Sequence, residues 1–230
     1  MHAQVQLEPA YLLAQRPYRE SSALIEIFTS THGRVGLVAR SARGPKSRLR
    51  GVLQPFTPLL LSWRAGGELG TLSAAEARAA PITLSGERIF FGWYLNELLL
   101  RLLQRQDPHP ALYALYAAVL PSLAGSADEA ERALRLFEKR LLAGIGYGLR
   151  FPPTIDPVGR YRLDHDGGFV AVQDGYSGAS LMAVRDEQLN DPALRRDVRR
   201  LLREAIRRQL GGRELESAAL LRQMRRRVGT

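Results

Sequence analysis

The sequence predicts an α+β protein: an N-terminal small β-barrel, then a helical domain with a small β-hairpin insertion. Three observations predict this. Up to about residue 78 the apolar runs are short and broken by turn residues. From Ser85 the apolar spacing lengthens to that of a helix. Composition changes near Pro81, which sets the boundary between a domain over 1–80 and one over 81–230.

Taken in order, the first strands lie in "YLLAQRPYRESSALIEIFTSTHGRVGLVARS". Ala23, Ile25 and Ile27 alternate with Leu24, Glu26 and Phe28, as in a strand with one face inward. "STHGR" around Gly33 predicts a hairpin turn. "GVLQPFTPLLLSW" predicts a further strand, whose Pro55 and Pro58 suit a strand start, an edge or a bulge. "GELGTLSAAEA" closes the set. About five strands with no long helix match the OB-fold, a five-stranded barrel that binds oligonucleotides.

The helices follow. "SGERIFFGWYLNELLLRLLQRQ" places Ile89, Phe90, Trp93, Tyr94, Leu98 and Leu102 at helical spacing, with Ser85 as the expected N-cap. Asp107-Pro108 ends it, and Pro110 opens a second helix that runs to about Gly125. Ser126 and Glu129 form a capping-box pattern for a third, whose core stripe is Leu134, Phe137, Leu141 and Leu142. Gly144, Gly146 and Gly148 stop it. Residues 149–185 are looser, with one hairpin turning at Asp166-Gly167-Gly168. Asp191 and Pro192 predict the start of a long helix ending at Gly211-Gly212, and a last helix follows.

Composition narrows the function. The 230-residue chain carries a formal charge of +10, which favours nucleic acid or an anionic surface as partner. Only Lys46 and Lys139 among its 33 basic residues are lysine. An Arg bias suits phosphate forks and base stacking, and equally follows from genomic base composition. Cysteine is absent, which excludes disulfides and thiolate metal sites and fits a reducing cytosol. No apolar run approaches a membrane span, and "MHAQVQLEPAYLL" lacks the basic and apolar regions of a secretory signal, so no membrane is expected.

The strongest local signal is "RVGLVARSARGPKSRLRG". Arg34, Arg40, Arg43, Lys46, Arg48 and Arg50 fall in it without one Asp or Glu. A solvated loop ordinarily mixes signs, because like charges repel. A polyanion would neutralise them. Six phosphate contacts on a single strand correspond to a log K against log salt slope of about −4. Tyr18, Phe28, Phe56 and Trp63 are the aromatic side chains that such a site could stack on, or else core residues.

Two further basic sets stand out. Arg195, Arg196, Arg199, Arg203 and Arg207 share faces of the long C-terminal helix and form either an accessory nucleic-acid face or simply its polar side. Arg132, Arg135, Lys139 and Arg140 flank the apolar stripe of the third helix. They make either a basic rim for an acidic peptide with hydrophobic end residues, or a plain amphipathic helix. Catalytic signals are thin. Asp156, Asp164, Asp166 and Asp174 could serve a metal-dependent nuclease, but Asp164 to Gly168 reads as turn chemistry. His2, His32, His109 and His165 are isolated in sequence, and no Walker-type motif is present. No cofactor or metal is expected.

Several blocks carry a family resemblance: "RPYRESSALIEIFTSTHGRVGLVARSAR", "LQPFTPLLLSW", "ELGTL", "YLNELLLRLL", "RLFEKRLLAGIGYG" and "LGGRELESAALLRQ". In this order the chain resembles the bacterial RecO recombination-mediator family of DNA repair proteins. The resemblance implies an OB-fold, binding of single- and double-stranded DNA, and annealing of complementary strands. It also implies contact with the acidic C-terminal tail of the single-stranded-DNA-binding protein, work with RecR to load the RecA recombinase, no enzymatic turnover, and a cytoplasmic, nucleoid-associated place in a bacterium. By position, Arg40 to Arg50 fall in the DNA-binding region and Arg135 among residues suited to the tail. Without cysteine the chain resembles the zinc-free type. At position 36 it has Gly where many relatives carry a basic residue. An RNA-directed OB module, a nuclease and a DNA-blind adaptor are the rival readings.

Overall fold

The computed structural model of the chain describes residues 4–228. Five strands, β1 (Gln4–Tyr18), β2 (Ser22–Thr29), β3 (Gly33–Ala39), β4 (Leu59–Arg64) and β5 (Gly70–Ala77), close a barrel in the order β1-β2-β3-β5-β4. The pair β3 and β5 is parallel, and the other pairs are antiparallel. This is the five-stranded arrangement expected of an OB-fold. Closure depends on the length of β1. It pairs with β4 along its first half and with β2 along its second, bending at a bulge between Leu12 and Ala14.

The alternation in β2 sorts as its sequence predicts. Ala23, Ile25 and Ile27 face the barrel interior with Leu37, Leu61 and Trp63. A short helix α1 (Leu49–Val52) lies between β3 and β4. Pro55 occupies the turn that follows it, and Pro58 directly precedes β4, so neither removes a donor from the ladder.

Contacts gather the chain into two units. The first is the chain up to Ala124 together with the chain from Leu215 onward, and the second is Gly125–Glu214. In the first unit, α2 (Arg88–Leu102) and α3 (Pro110–Ala124) cover one flank of the barrel, and α7 (Glu216–Val228) packs on α2. The anchors are aromatic and polar. Phe28 meets Tyr113 and Tyr116 of α3 with ring centroids 5.6 and 6.2 Å apart. The buried Asn96 amide donates to the Leu13 carbonyl at 3.0 Å and accepts from the Tyr116 hydroxyl at 2.5 Å.

Two expectations for α2 are corrected. Its N-cap position is Glu87, not Ser85, whose carbonyl instead accepts the Arg88 amide in the preceding turn. Its buried face carries Leu95, Leu98 and Leu99, while Trp93 is solvent-exposed. The segment is apolar on nearly every side, so spacing alone does not set its phase.

The second unit holds α4 (Ala127–Gly144), strands β6 (Arg160–Leu163), β7 (Phe169–Val172) and β8 (Tyr176–Ser177), and helices α5 (Gly178–Arg185) and α6 (Arg195–Gln209). The capping box is made as predicted: Ser126 accepts from the Glu129 amide, and Glu129 accepts from the Ser126 amide. The stripe Leu134, Phe137, Leu141 and Leu142 is buried. The hairpin β6–β7 turns at Gly167, but β8 adds a third strand and α5 follows, capped by the Ser177 hydroxyl. Helix α6 begins three residues after Pro192. Asp191 accepts from the Ala193 amide in a turn instead of capping the helix.

Candidate nucleic-acid interface

Beyond β3 the chain makes successive turns before α1. The Gly44 amide donates to the Ser41 carbonyl, Ser47 to Gly44, and Arg50 to Ser47. Ala42 and Leu53 are buried in the barrel core at the two ends of this segment, and Leu49 and Val52 pack against it. These apolar residues hold the loop down. Arg40, Arg43, Lys46, Arg48 and Arg50 point outward and are all exposed. None of the five makes an ion pair among the described residues. The loop also leans on the β1–β2 turn. The Arg43 amide donates to the Ser21 carbonyl at 2.8 Å, and Arg43 Nη1 donates to the Arg19 carbonyl at 3.3 Å.

Arg34 stands apart from the other five. Its Nη1 donates to the Leu100 carbonyl, and its Nε lies 3.9 Å from Glu26. Glu26 also receives Arg105. Burial draws the Arg34 guanidinium below its ordinary pKa, Glu26 opposes that shift, and Arg105 adds to it. The Arg34 guanidinium is thus engaged in fastening β3 to α2, with Glu26 of β2 beside it. Gly36 lies beside it, and a Cβ there would come within 3.1 Å of the Arg105 guanidinium. Of the four aromatic residues, Phe28, Phe56 and Trp63 are buried core, and Tyr18 is half-buried at the rim.

The other basic sets differ from the loop in their pairing. On α6, Arg195 lies 2.6 Å from Asp128, and Arg199 lies 2.9 Å from Glu131. Arg203 is engaged, whereas Arg196 and Arg207 are exposed and make no ion pair among the described residues. On α4, Arg135 is buried at 4% exposure, 3.0 Å from the wholly buried Glu138 and 3.6 Å from Glu131. Lys139 and Arg140 converge on Glu187 at 3.0 and 2.7 Å. Arg140, with Lys139 beside it, holds the Glu187 carboxyl down at about 2 despite its partial burial. Arg132 donates to Asn190. The partners of Arg135 lie three and four residues away on the same helix, whereas those of Arg132, Lys139, Arg140, Arg195 and Arg199 lie 47 to 68 residues away, where sequence spacing does not show them.

The aspartates of the hairpin are turn residues. Asp164 Oδ1 accepts from the Asp166 amide at 2.9 Å and the Gly168 amide at 2.6 Å. Among the described residues no group of three His, Cys, Asp or Glu is placed to hold a metal. His2 lies outside the described residues. No described helix is long and apolar enough to cross a membrane.

Residues 1–80 match the family model described as Recombination protein O N terminal, and residues 84–152 match Recombination protein O C terminal. The chain belongs to the RecO family. It is 44% identical over 234 residues to the DNA repair protein RecO of Nitrosococcus oceani, covering 96% of this chain and 95% of that protein. It is 42% identical to the DNA repair protein RecO of Methylococcus capsulatus, covering 96% and 94%. It is 41% identical to that of Yersinia pestis, covering 93% of each. RecO membership places the chain in DNA repair and recombination. In this RecO-family barrel five exposed cations that make no ion pair among the described residues are grouped on the segment after β3.

Proposed function

We propose that the chain is a recombination mediator that binds single- and double-stranded DNA through the Arg40–Arg50 loop, anneals complementary strands and works without catalytic turnover. One observation carries this reading: five exposed cations without acidic partners among the described residues sit on a loop that buried apolar residues hold against an OB-type barrel. Like charges held this close repel one another until a polyanion neutralises them. Two strands brought to such a surface have their mutual phosphate repulsion screened, which lets bases meet. Arg34 is left out, because its guanidinium is already engaged. Five contacts correspond to a salt slope of about −3.5 on single strands, less steep than six would give.

The RecO family supports the finer partners of this reading. These are the acidic tail of single-stranded-DNA-binding protein, RecR, and delivery of a recombinase to coated DNA in the bacterial cytoplasm at the nucleoid. Tail contact falls to the exposed Arg132, since Arg135 is buried between two acids and Lys139 and Arg140 are paired with Glu187. Arg196 and Arg207 supply an accessory basic face. Docking on a tail would raise the local concentration of the chain at gaps.

The test is annealing of complementary oligonucleotides by the wild type and by Arg43→Glu/Lys46→Glu/Arg48→Glu. The triple variant should anneal far more slowly at moderate salt. Equal rates would remove the loop from the mechanism.

A further inference from the structure

The turn facing the basic loop carries its own ordered pair. Arg19 lays its guanidinium over the Tyr18 ring, 5.1 Å from the centroid. Arg19 is exposed, and Tyr18 is half-buried at the end of β1, paired with Ser22 across the hairpin. Neither residue makes an ion pair among the described residues.

Two features show that this turn is held in place. Arg19 has φ of 52°, and Ser41 in the facing loop has φ of 53°. Side chains rarely adopt that region, and it persists only where the surroundings impose it. Arg43 supplies the fastening, its amide on the Ser21 carbonyl and its guanidinium on the Arg19 carbonyl. Arg43 thus ties the basic loop to the turn that carries Arg19, chiefly through its main-chain amide.

A guanidinium plane is weakly hydrated and stacks on flat π systems, and nucleobases stack on such planes. We propose that the Tyr18–Arg19 pair is a landing plate for one unpaired nucleobase. Tyr18 props the guanidinium, the base stacks on it, and the loop cations take the flanking phosphates. The inference rests on the DNA-binding reading above and adds what the loop lacks, a contact that needs a base free of its complement. Arg16, exposed two residues before Tyr18, extends the cationic rim. Glu20, at the tip of the turn, is the single acid of segments 16–20 and 40–50.

The experiment compares three probes at one stated salt concentration: a thymidine oligonucleotide, an abasic strand of equal length, and a duplex. Wild type should bind the thymidine strand about tenfold more tightly than the abasic strand, within the range of one stacked base. Arg19→Lys keeps the charge and removes the plane. It should erase that preference while leaving abasic and duplex affinities unchanged. Tyr18→Leu should act in the same direction, and Tyr18→Phe should behave as wild type. Thermal melts of each variant confirm folding. Equal wild-type affinity for the thymidine and abasic strands would overturn the plate, as would an Arg19→Lys chain that keeps the preference or loses all three affinities alike. Failure of the underlying reading looks different: Arg43→Glu/Lys46→Glu/Arg48→Glu would leave abasic affinity intact.

Discussion

The backbone amide of Arg43 donates to the carbonyl of Ser21 at 2.8 Å, so the basic loop is tied to the β1–β2 turn by main-chain atoms. A side-chain substitution at Arg43 leaves that bond in place. Charge on the loop is therefore separable from its position. In Arg43→Glu/Lys46→Glu/Arg48→Glu, unfolding free energy should stay within about 0.5 kcal/mol of wild type, as for exposed sites generally. The salt slope for single strands should fall from about −3.5 towards −1.4, leaving two cations. Urea melts and fluorescence anisotropy across a salt series check both. A collapse of stability would mean that the charges hold the loop.

Glu187 gives the second unit a pH dependence. Its ordinary pKa of 4.5 falls to about 2 beside Arg140 and Lys139. A depressed carboxyl contributes stability that is fully present above the unfolded value and is lost as pH falls through the folded one. The window runs from about pH 5 to about 2. The site is partly solvated, so screening cuts the contribution to about 1 kcal/mol. Glu187→Gln should be destabilised by that amount at pH 7, and the gap from wild type should close by about pH 2. Denaturant melts at stepped pH measure it. A constant gap would assign the effect to shape instead of charge.

Arg135 and Glu138 face each other 3.0 Å apart in the interior of the second unit. Removing one partner leaves a buried charge uncompensated. Arg135→Met should cost about 3–5 kcal/mol, while Arg135→Met/Glu138→Leu should recover most of it. Chemical denaturation of the four members of the cycle gives the coupling. The double variant is also the control for partner binding. A tail-binding defect seen in Arg135→Met but absent from the double variant reports lost structure, not a lost contact.

How far the chain could be read in advance depends on the range of the interaction. The inward set Ala23, Ile25 and Ile27, the Ser126–Glu129 box and the stop at Gly144 to Gly148 were legible, because each is made by residues a few positions apart. The third strand β8 and helix α5 were not, because two residues of strand carry no periodicity. The phase of α2 was hidden by leucine and aromatic residues on nearly all its sides.

By itself the sequence determined that a barrel precedes helices, that positive charge gathers after β3 without acids between, and that the chain is RecO-like. Only the tertiary structure decided which cations are at liberty. Arg34 and Arg140 looked no different from Arg43 along the chain, yet Glu26 and Glu187 reach the first two and no acid among the described residues reaches the third. Charge is a property of the residue, but its neutralisation depends on what folding brings within a few ångströms.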